Sequence, residues 1–316
     1  MKMKLSDNLK KIAKAVLFIA LFLVLYTGSR DVLRNKSESE ALGKIFTMPD
    51  ETYSVVLAGP SHIQYGVHPS VLKSEYNISA CNTATAAQSM PTTYYVVKEM
   101  IERHTPEIVA VDLFCMFYPD VYFTPTRFHQ AIDNFPLNKN KVEAIMDLAG
   151  EDKSEFFLNY MLYHGRWKSL TKTDYTVTKE YNETQQVLYV TTPFENDFVP
   201  LDKSIKGEVP AVPLEYLEKI VELCKETDTE LILTVIPYRA DVDNNDVTGA
   251  YQQSVYNTIE EYAATWGVEY INLLYNLDDM GFDFQTDMAE FSHLNESGSM
   301  KVSRYFGKIL KDRLEN

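Results

Sequence analysis

The sequence predicts a three-layer α/β/α protein built on a parallel sheet, with one apolar helix ahead of it. Three observations lead there. Short apolar runs alternate with stretches of helical periodicity, which is the rhythm of strand–helix–strand units. Those runs are unbroken rather than alternating, as strands covered on both faces require. Near the N-terminus, a charge-free stretch of about 15 residues follows five lysines. With 45% hydrophobic residues, 12 Gly and 13 Pro in 316 residues, the chain has material for one large core and no compositional sign of general disorder.

Taken in order, residues 15–26 read AVLFIALFLVLY, bracketed by Lys14 and Arg30 with every lysine of the region on the N-terminal side. That asymmetry predicts a cytoplasmic N-terminus and a body outside the membrane. The uncharged 15–29 stretch is shorter than the ~20 residues of a full span, but flanking Lys and Arg can snorkel. Only Thr27-Gly28-Ser29 approaches the small-residue cleavage pattern, so 1–30 reads as an uncleaved signal anchor rather than a removed signal peptide. No cysteine follows the apolar run, which argues against a lipoprotein. Residues 31–50, rich in Ser, Lys and Glu, read as a juxtamembrane linker, and 51–316 as the folded domain.

Within that domain, 54–58 (SVVLA) is a strand stopped by Gly59-Pro60, and 76–81 is a second strand before Asn82. Residues 91–104 have helical spacing with a proline in the first turn, where its missing N–H costs nothing. A third strand spans 107–113. Later come a helix at 214–227, a strand at 230–237, a helix at 248–266, a strand at 268–273 and a last helix at 297–314. Residues 114–212 break this rhythm. They are aromatic-rich, hold helix-like pieces at 141–149 and 155–163, and close on Pro210 and Pro213, so they read as an insertion between strands three and four. Ligands of parallel sheets bind beyond the carboxyl ends of the strands. Chemistry is therefore expected just after Ala58, Cys81, Leu113 and Ile236.

Charge excludes one large class of function. The first thirty residues hold six Lys/Arg and one acid, leaving 24 of the 30 basic and 44 of the 45 acidic residues for 31–316, a net of −20. Such a surface repels phosphate backbones, so no nucleic-acid partner is expected. Cys81, Cys115 and Cys224 are far apart and odd in number, giving neither a disulfide framework nor a metal motif. Asp241, Asp243 and Asp246 lack the glycine and terminal glutamate of a calcium loop and read as solvated acids. No metal and no cofactor is expected.

Two segments carry candidate chemistry. In 55–69, VVLAGPSHIQYGVHP, Ser61 lies three residues past a buried strand on a Gly-Pro turn that exposes its hydroxyl. In 286–298, TDMAEFSHLNESG, Glu290 stands three residues before His293 on a loop leading into the last helix. In this order, at the two ends of an α/β domain, the segments resemble the SGNH (GDSL-type) hydrolase superfamily. The resemblance covers about 54–113 and 228–314 and implies a flavodoxin-like sheet with a serine–histidine–acid site. The opening Gly59-Pro60-Ser61-His62, the Asn82 to Gln88 stretch and the ending His293-Leu294-Asn295 are most similar to its bacterial envelope branch, which includes the teichoic-acid D-alanyl transfer protein.

The resemblance implies Ser61 as nucleophile and His293 as base. Glu290 stands where the family has Asp, and Asp287 is the rival for orienting the imidazole. In the second family block, Ala87 replaces a glycine whose backbone N–H helps bind the oxyanion; Ser61 N–H would be the other donor. The third block, Val111 to Cys115, holds no Asn, so Asn82 or Gln88 is a candidate to replace that donor. His62 either lines the acyl pocket or bonds a neighbouring loop. Tyr163-His164-Gly165-Arg166-Trp167 is either a substrate clamp or a pair fastening the insertion to the core.

The expected function is an extracytoplasmic serine acyl hydrolase or acyltransferase acting on a cell-envelope polysaccharide or teichoic-acid-like polymer. Its partners would be that polymer or an acyl donor and, for transfer, a membrane-bound O-acyltransferase. The alternative is a non-catalytic scaffold of an envelope acylation complex.

Overall fold

Five strands, all parallel, make one sheet in the order β2-β1-β3-β4-β5, where β1 is Val55–Ala58, β2 Ala80–Asn82, β3 Ile108–Asp112, β4 Glu230–Val235 and β5 Glu269–Asn272. The computed structural model describes residues 7–33, 45, 52–118, 124–157, 160–175, 187–193, 200–239 and 247–315. Most of the expected linker, and the acidic trio Asp241, Asp243 and Asp246, lie outside the described residues.

The apolar runs are unbroken because β1 and β3 are buried at every position. Helices supply that cover. Between β1 and β2 run α2 (Ser61–Gly66) and α3 (Pro69–Tyr76); α4 (Met90–His104) leads to β3. After β3 come a 3-10 turn at Phe114–Phe117 and four short helices, α5 (Pro125–Ile132), α6 (Lys139–Leu148), α7 (Lys153–Phe157) and α8 (Tyr160–Tyr163). Then α9 (Ala211–Glu226) returns to β4, α10 (Val247–Trp266) to β5, and α11 (Leu277–Met280) precedes α12 (Glu296–Leu314). α4 and α9 pack together, as do α3 and α12. Right-handed crossovers put these two pairs on opposite faces of the sheet, giving the three predicted layers in a flavodoxin-like order.

The expected strand at 76–81 is corrected by the structure. Tyr76 ends α3, and Asn77, at φ 58, closes that helix in the left-handed conformation that Asn tolerates. Tyr76 instead lies over α12, its hydroxyl donating to the Arg304 carbonyl at 2.7 Å, and pairing begins only at Ala80. Inside the insertion, the His129 ring stacks on Phe156 and bonds Asp133 through Nδ1 at 3.0 Å. The Tyr163 hydroxyl donates to the same Asp133, tying α8 back to α5.

Ahead of the domain, α1 (Asp7–Leu33) contains Leu9–Arg30, long enough and on average apolar enough to cross a bilayer, with Lys10, Lys11 and Lys14 at its start and the charge-free 15–29 at its centre. Its end touches α8 and the 3-10 turns at His164–Lys168 and Lys172–Tyr175.

Candidate active site

The site forms where β1 stops. Gly59 takes φ +136, a region closed to other residues, and a Cβ there would stand 3.1 Å from both the Cβ and the carbonyl oxygen of Asp112. Glycine thus lets β1 turn sharply against the end of β3. Pro60 caps α2 and Ser61 is its first residue. Asp112 is fully buried and accepts from Phe114 N–H at 2.8 Å and Ile236 N–H at 3.1 Å, stitching the ends of β3 and β4 together. Burial pushes its carboxyl up to about 7 despite those two donors.

Across the same edge lies the loop before α12. Ala289 N–H bonds the His293 carbonyl at 2.9 Å, folding the loop so that Glu290 and His293 share one side. The Ser61 hydroxyl donates to His293 Nε2 at 2.7 Å, from a residue 232 positions away in sequence. On the other side of the ring, His293 Nδ1 contacts Glu290 Oε1. Ser292, which belongs to no motif in the sequence, holds the acid in place: its N–H bonds Glu290 Oε2 at 3.0 Å and its hydroxyl bonds Oε1 at 2.8 Å. Partial burial pushes the Glu290 carboxyl up, but the Ser292 donors and the His293 ring outweigh it and hold it below the usual range.

Asp287, the rival acid, points elsewhere. It is fully buried, accepts from Ser297 Oγ at 2.6 Å and Asp283 N–H at 2.7 Å, and pairs with Lys301 at 2.7 Å. Its carboxylate anchors the start of α12 instead of reaching the imidazole. Gly298 fits closely over it, since a Cβ there would meet the Asp287 carbonyl at 2.2 Å. Asn295 caps the helix, its Oδ1 accepting from Gly298 N–H at 3.0 Å, and its amide donates to Thr191 Oγ1 and the Thr286 carbonyl. Thr192 of the insertion adds two bonds to the same loop, N–H to the Met288 carbonyl and Oγ1 to that of Ala289.

The two candidate side-chain donors are corrected as well. Both amide hydrogens of Asn82 are committed to the carbonyls of Ile63 and Val67, at 2.9 and 3.1 Å, which fastens α2 to β2. The Gln88 amide donates to the Thr83 carbonyl and Thr85 Oγ1, and its carbonyl accepts from Thr93. Neither has a hydrogen left for an oxyanion. Ala87 is different: it takes φ 49 in a turn closed by Gln88 N–H on the Thr85 carbonyl. The position thus demands the left-handed backbone glycine favours, and alanine adopts it at some cost. Among the described residues, neither Ala87 N–H nor Ser61 N–H has an acceptor.

His62 makes no loop hydrogen bond. Its ring is buried between Phe114, with centroids 3.3 Å apart, and His293, at 5.0 Å, and neither ring nitrogen has a partner among the described residues. Burial, with the nearby His293 adding to it, drives its pKa well below the usual range, so it stays neutral. Tyr65 meets the His293 ring edge-on at 5.3 Å, so that imidazole is held by rings on two sides. Arg166 bonds groups outside this site. The Arg166 guanidinium bonds the Leu33 carbonyl at 2.7 Å and Asp174 at 2.8 Å, while Trp167 is 64% exposed.

No protein-family model matches the chain, and no curated protein does. Among solved structures, a Bacteroides fragilis protein assigned as an acylhydrolase is similar at 12% identity, with a TM-score of 0.43, covering 89% of this chain and 98% of that one. A GDSL-like lipase from Bacteroides thetaiotaomicron is similar at 12% identity and a TM-score of 0.41, covering 82% and 88%. A Desulfitobacterium hafniense protein assigned to the G-D-S-L lipolytic family gives 11% identity and a TM-score of 0.38, covering 81% and 99%. At such identities and scores, the chemistry has to be read from the side chains themselves.

Proposed function

We propose that this protein is a serine acyl hydrolase or acyltransferase, held outside the cytoplasm by α1 and acting on ester-linked acyl groups of a cell-envelope polysaccharide or teichoic-acid-like polymer. One observation carries the reading: Ser61 Oγ, the His293 ring and the Glu290 carboxylate stand in line, with 2.7 Å from hydroxyl to Nε2. Nucleophile, base and orienting acid are recognised by that geometry rather than by fold.

The steps follow from the atoms. Glu290 accepts the Nδ1 proton of His293, which fixes the tautomer with a free electron pair on Nε2. Ser61 Oγ attacks the acyl carbonyl as Nε2 takes its proton. The oxyanion then accepts from Ser61 N–H and Ala87 N–H, both without acceptors of their own. The imidazolium protonates the leaving alcohol, and the acyl-serine passes to water or to a polymer hydroxyl by the reverse sequence. His62, neutral beside His293, adds no charge to oppose the imidazolium.

The second reading is a scaffold that keeps the fold without turnover. The commitment of Asn82 and Gln88 to structural bonds favours it, since neither amide is free to stand in for the family's Asn. Losing one such donor costs ~10²–10³ in rate, which slows an enzyme without stopping it. A fluorophosphonate probe offered to the full chain separates the two. Labelling that disappears in Ser61→Ala is the expected result; a folded protein that resists labelling at every pH supports the scaffold.

A further inference from the structure

The contact between Arg166 and the end of α1 has a geometric implication for the insertion. We infer that residues 162–175 form a lipid-docking platform seated in the headgroup layer of the bilayer that α1 crosses. The inference rests on reading α1 as a membrane anchor and adds to it a second point of attachment on the folded domain.

Lengths carry the argument. The charge-free residues 15–29 centre on Phe22, and at ~1.5 Å per residue the helix leaves a hydrocarbon half-thickness of ~15 Å about ten residues beyond that centre. Leu33 is eleven residues beyond Phe22, ~16.5 Å from the centre by the same rise. The headgroup layer adds ~5–7 Å on each side, so the Leu33 carbonyl falls inside it. Arg166 Nη1 is 2.7 Å from that oxygen. The guanidinium must therefore sit among headgroups, closing the carbonyl end of the helix, where a cation is favoured by the helix dipole.

The neighbouring side chains have the chemistry for that depth. Trp167 is 64% exposed, Tyr175 66% and Leu162 50%, three exposed apolar or amphipathic side chains in one short segment of an otherwise acidic domain. Tryptophan and tyrosine concentrate at membrane interfaces because one end of each ring system is apolar and the other polar. Arg166, Lys168 and Lys172 against Asp174 give this segment +2, in a chain of −15. Lys168 Nζ lies 5.4 Å from the Trp167 ring, so a cation and an aromatic face are presented together. Arg166 is also held to Asp174, which keeps the segment in one shape.

The chain has two tryptophans, Trp167 and Trp266, which makes the test direct. Full-length protein is reconstituted into phosphatidylcholine–phosphatidylglycerol vesicles carrying lipids brominated near the top of the acyl chain. Lipid quenching of tryptophan emission is compared for the native chain and Trp167→Phe, a conservative change at an exposed site outside the proposed machinery. Ester turnover then checks folding. The expected result is lipid-quenchable emission in the native protein that is lost in the variant. Equal quenching in both, or no lipid quenching while iodide in the buffer reaches Trp167 freely, overturns the platform if the protein still floats with the vesicles. Failure to float overturns the anchor and the platform together.

Discussion

At the residue scale, the acid is where sequence and structure bear differently on the site. Spacing alone left Glu290 and Asp287 both open, because a loop of six residues can bend either way. The structure separates them by their surroundings: Glu290 faces the imidazole and is steadied by Ser292, whereas Asp287 is spent on Lys301, Ser297 and Asp283 N–H. Ser292 was not legible, since a serine between a phenylalanine and a histidine has no signature until the turn folds it back onto Glu290. Amide replacement of a triad carboxylate costs roughly 10⁴ in kcat, and water partly replaces the 40%-exposed Glu290, so Glu290→Gln is expected to lower p-nitrophenyl acetate turnover by roughly 10²–10⁴ with the melting temperature nearly unchanged. Asp287→Asn should do the reverse. It strands Lys301 beside a buried amide, so the melting temperature falls while the folded fraction keeps most of its turnover. A kcat collapse in Asp287→Asn with normal stability would transfer the orienting role to that residue.

At the element scale, most of the sheet was legible because β1, β3 and β4 are covered on both faces and leave unbroken apolar runs in the sequence. β2 was legible in its place but not in its start, because its three residues are too few for periodicity and Tyr76 and Asn77 before it belong to α3 and its cap. The brace on the loop before α12 was hidden too: Thr191, Thr192 and the Leu188 carbonyl reach it from the insertion, about a hundred residues upstream. Asn295 joins these pieces by capping α12 while donating to Thr191. Loss of a cap costs about 1 kcal/mol, and stranded partners raise that figure. Thermal unfolding of Asn295→Ala should therefore show a loss of about 1–3 kcal/mol. Asn295→Asp keeps the capping oxygen and should recover much of it; equal losses in the two variants would assign the effect to the amide bonds alone.

At the scale of the whole molecule, buried titratable groups set how stability answers to pH. His62 is held well below its usual range by burial and by His293, and burial lowers His68 to about 4. Both take a proton more readily unfolded, at ~6.5, so the stability they contribute is present above that value and is lost as pH falls below it. Asp112 works the other way. Its carboxyl is raised from 3.8 to about 7, so its contribution is retained in acid and is lost as pH rises through that window. Asp112→Asn removes the opposing slope, and its melting temperature should fall more steeply than the parent's from pH 7 to pH 4; parallel curves would contradict the assignment. The distance along the chain between Ser61 and His293 has a consequence of another kind. At the ~5–20 residues per second of cellular synthesis, the 232 positions between them take roughly 12–46 seconds to make. Throughout that interval, a growing polypeptide has Ser61 without His293, so on the proposed mechanism a half-made copy is chemically silent toward the esters around it.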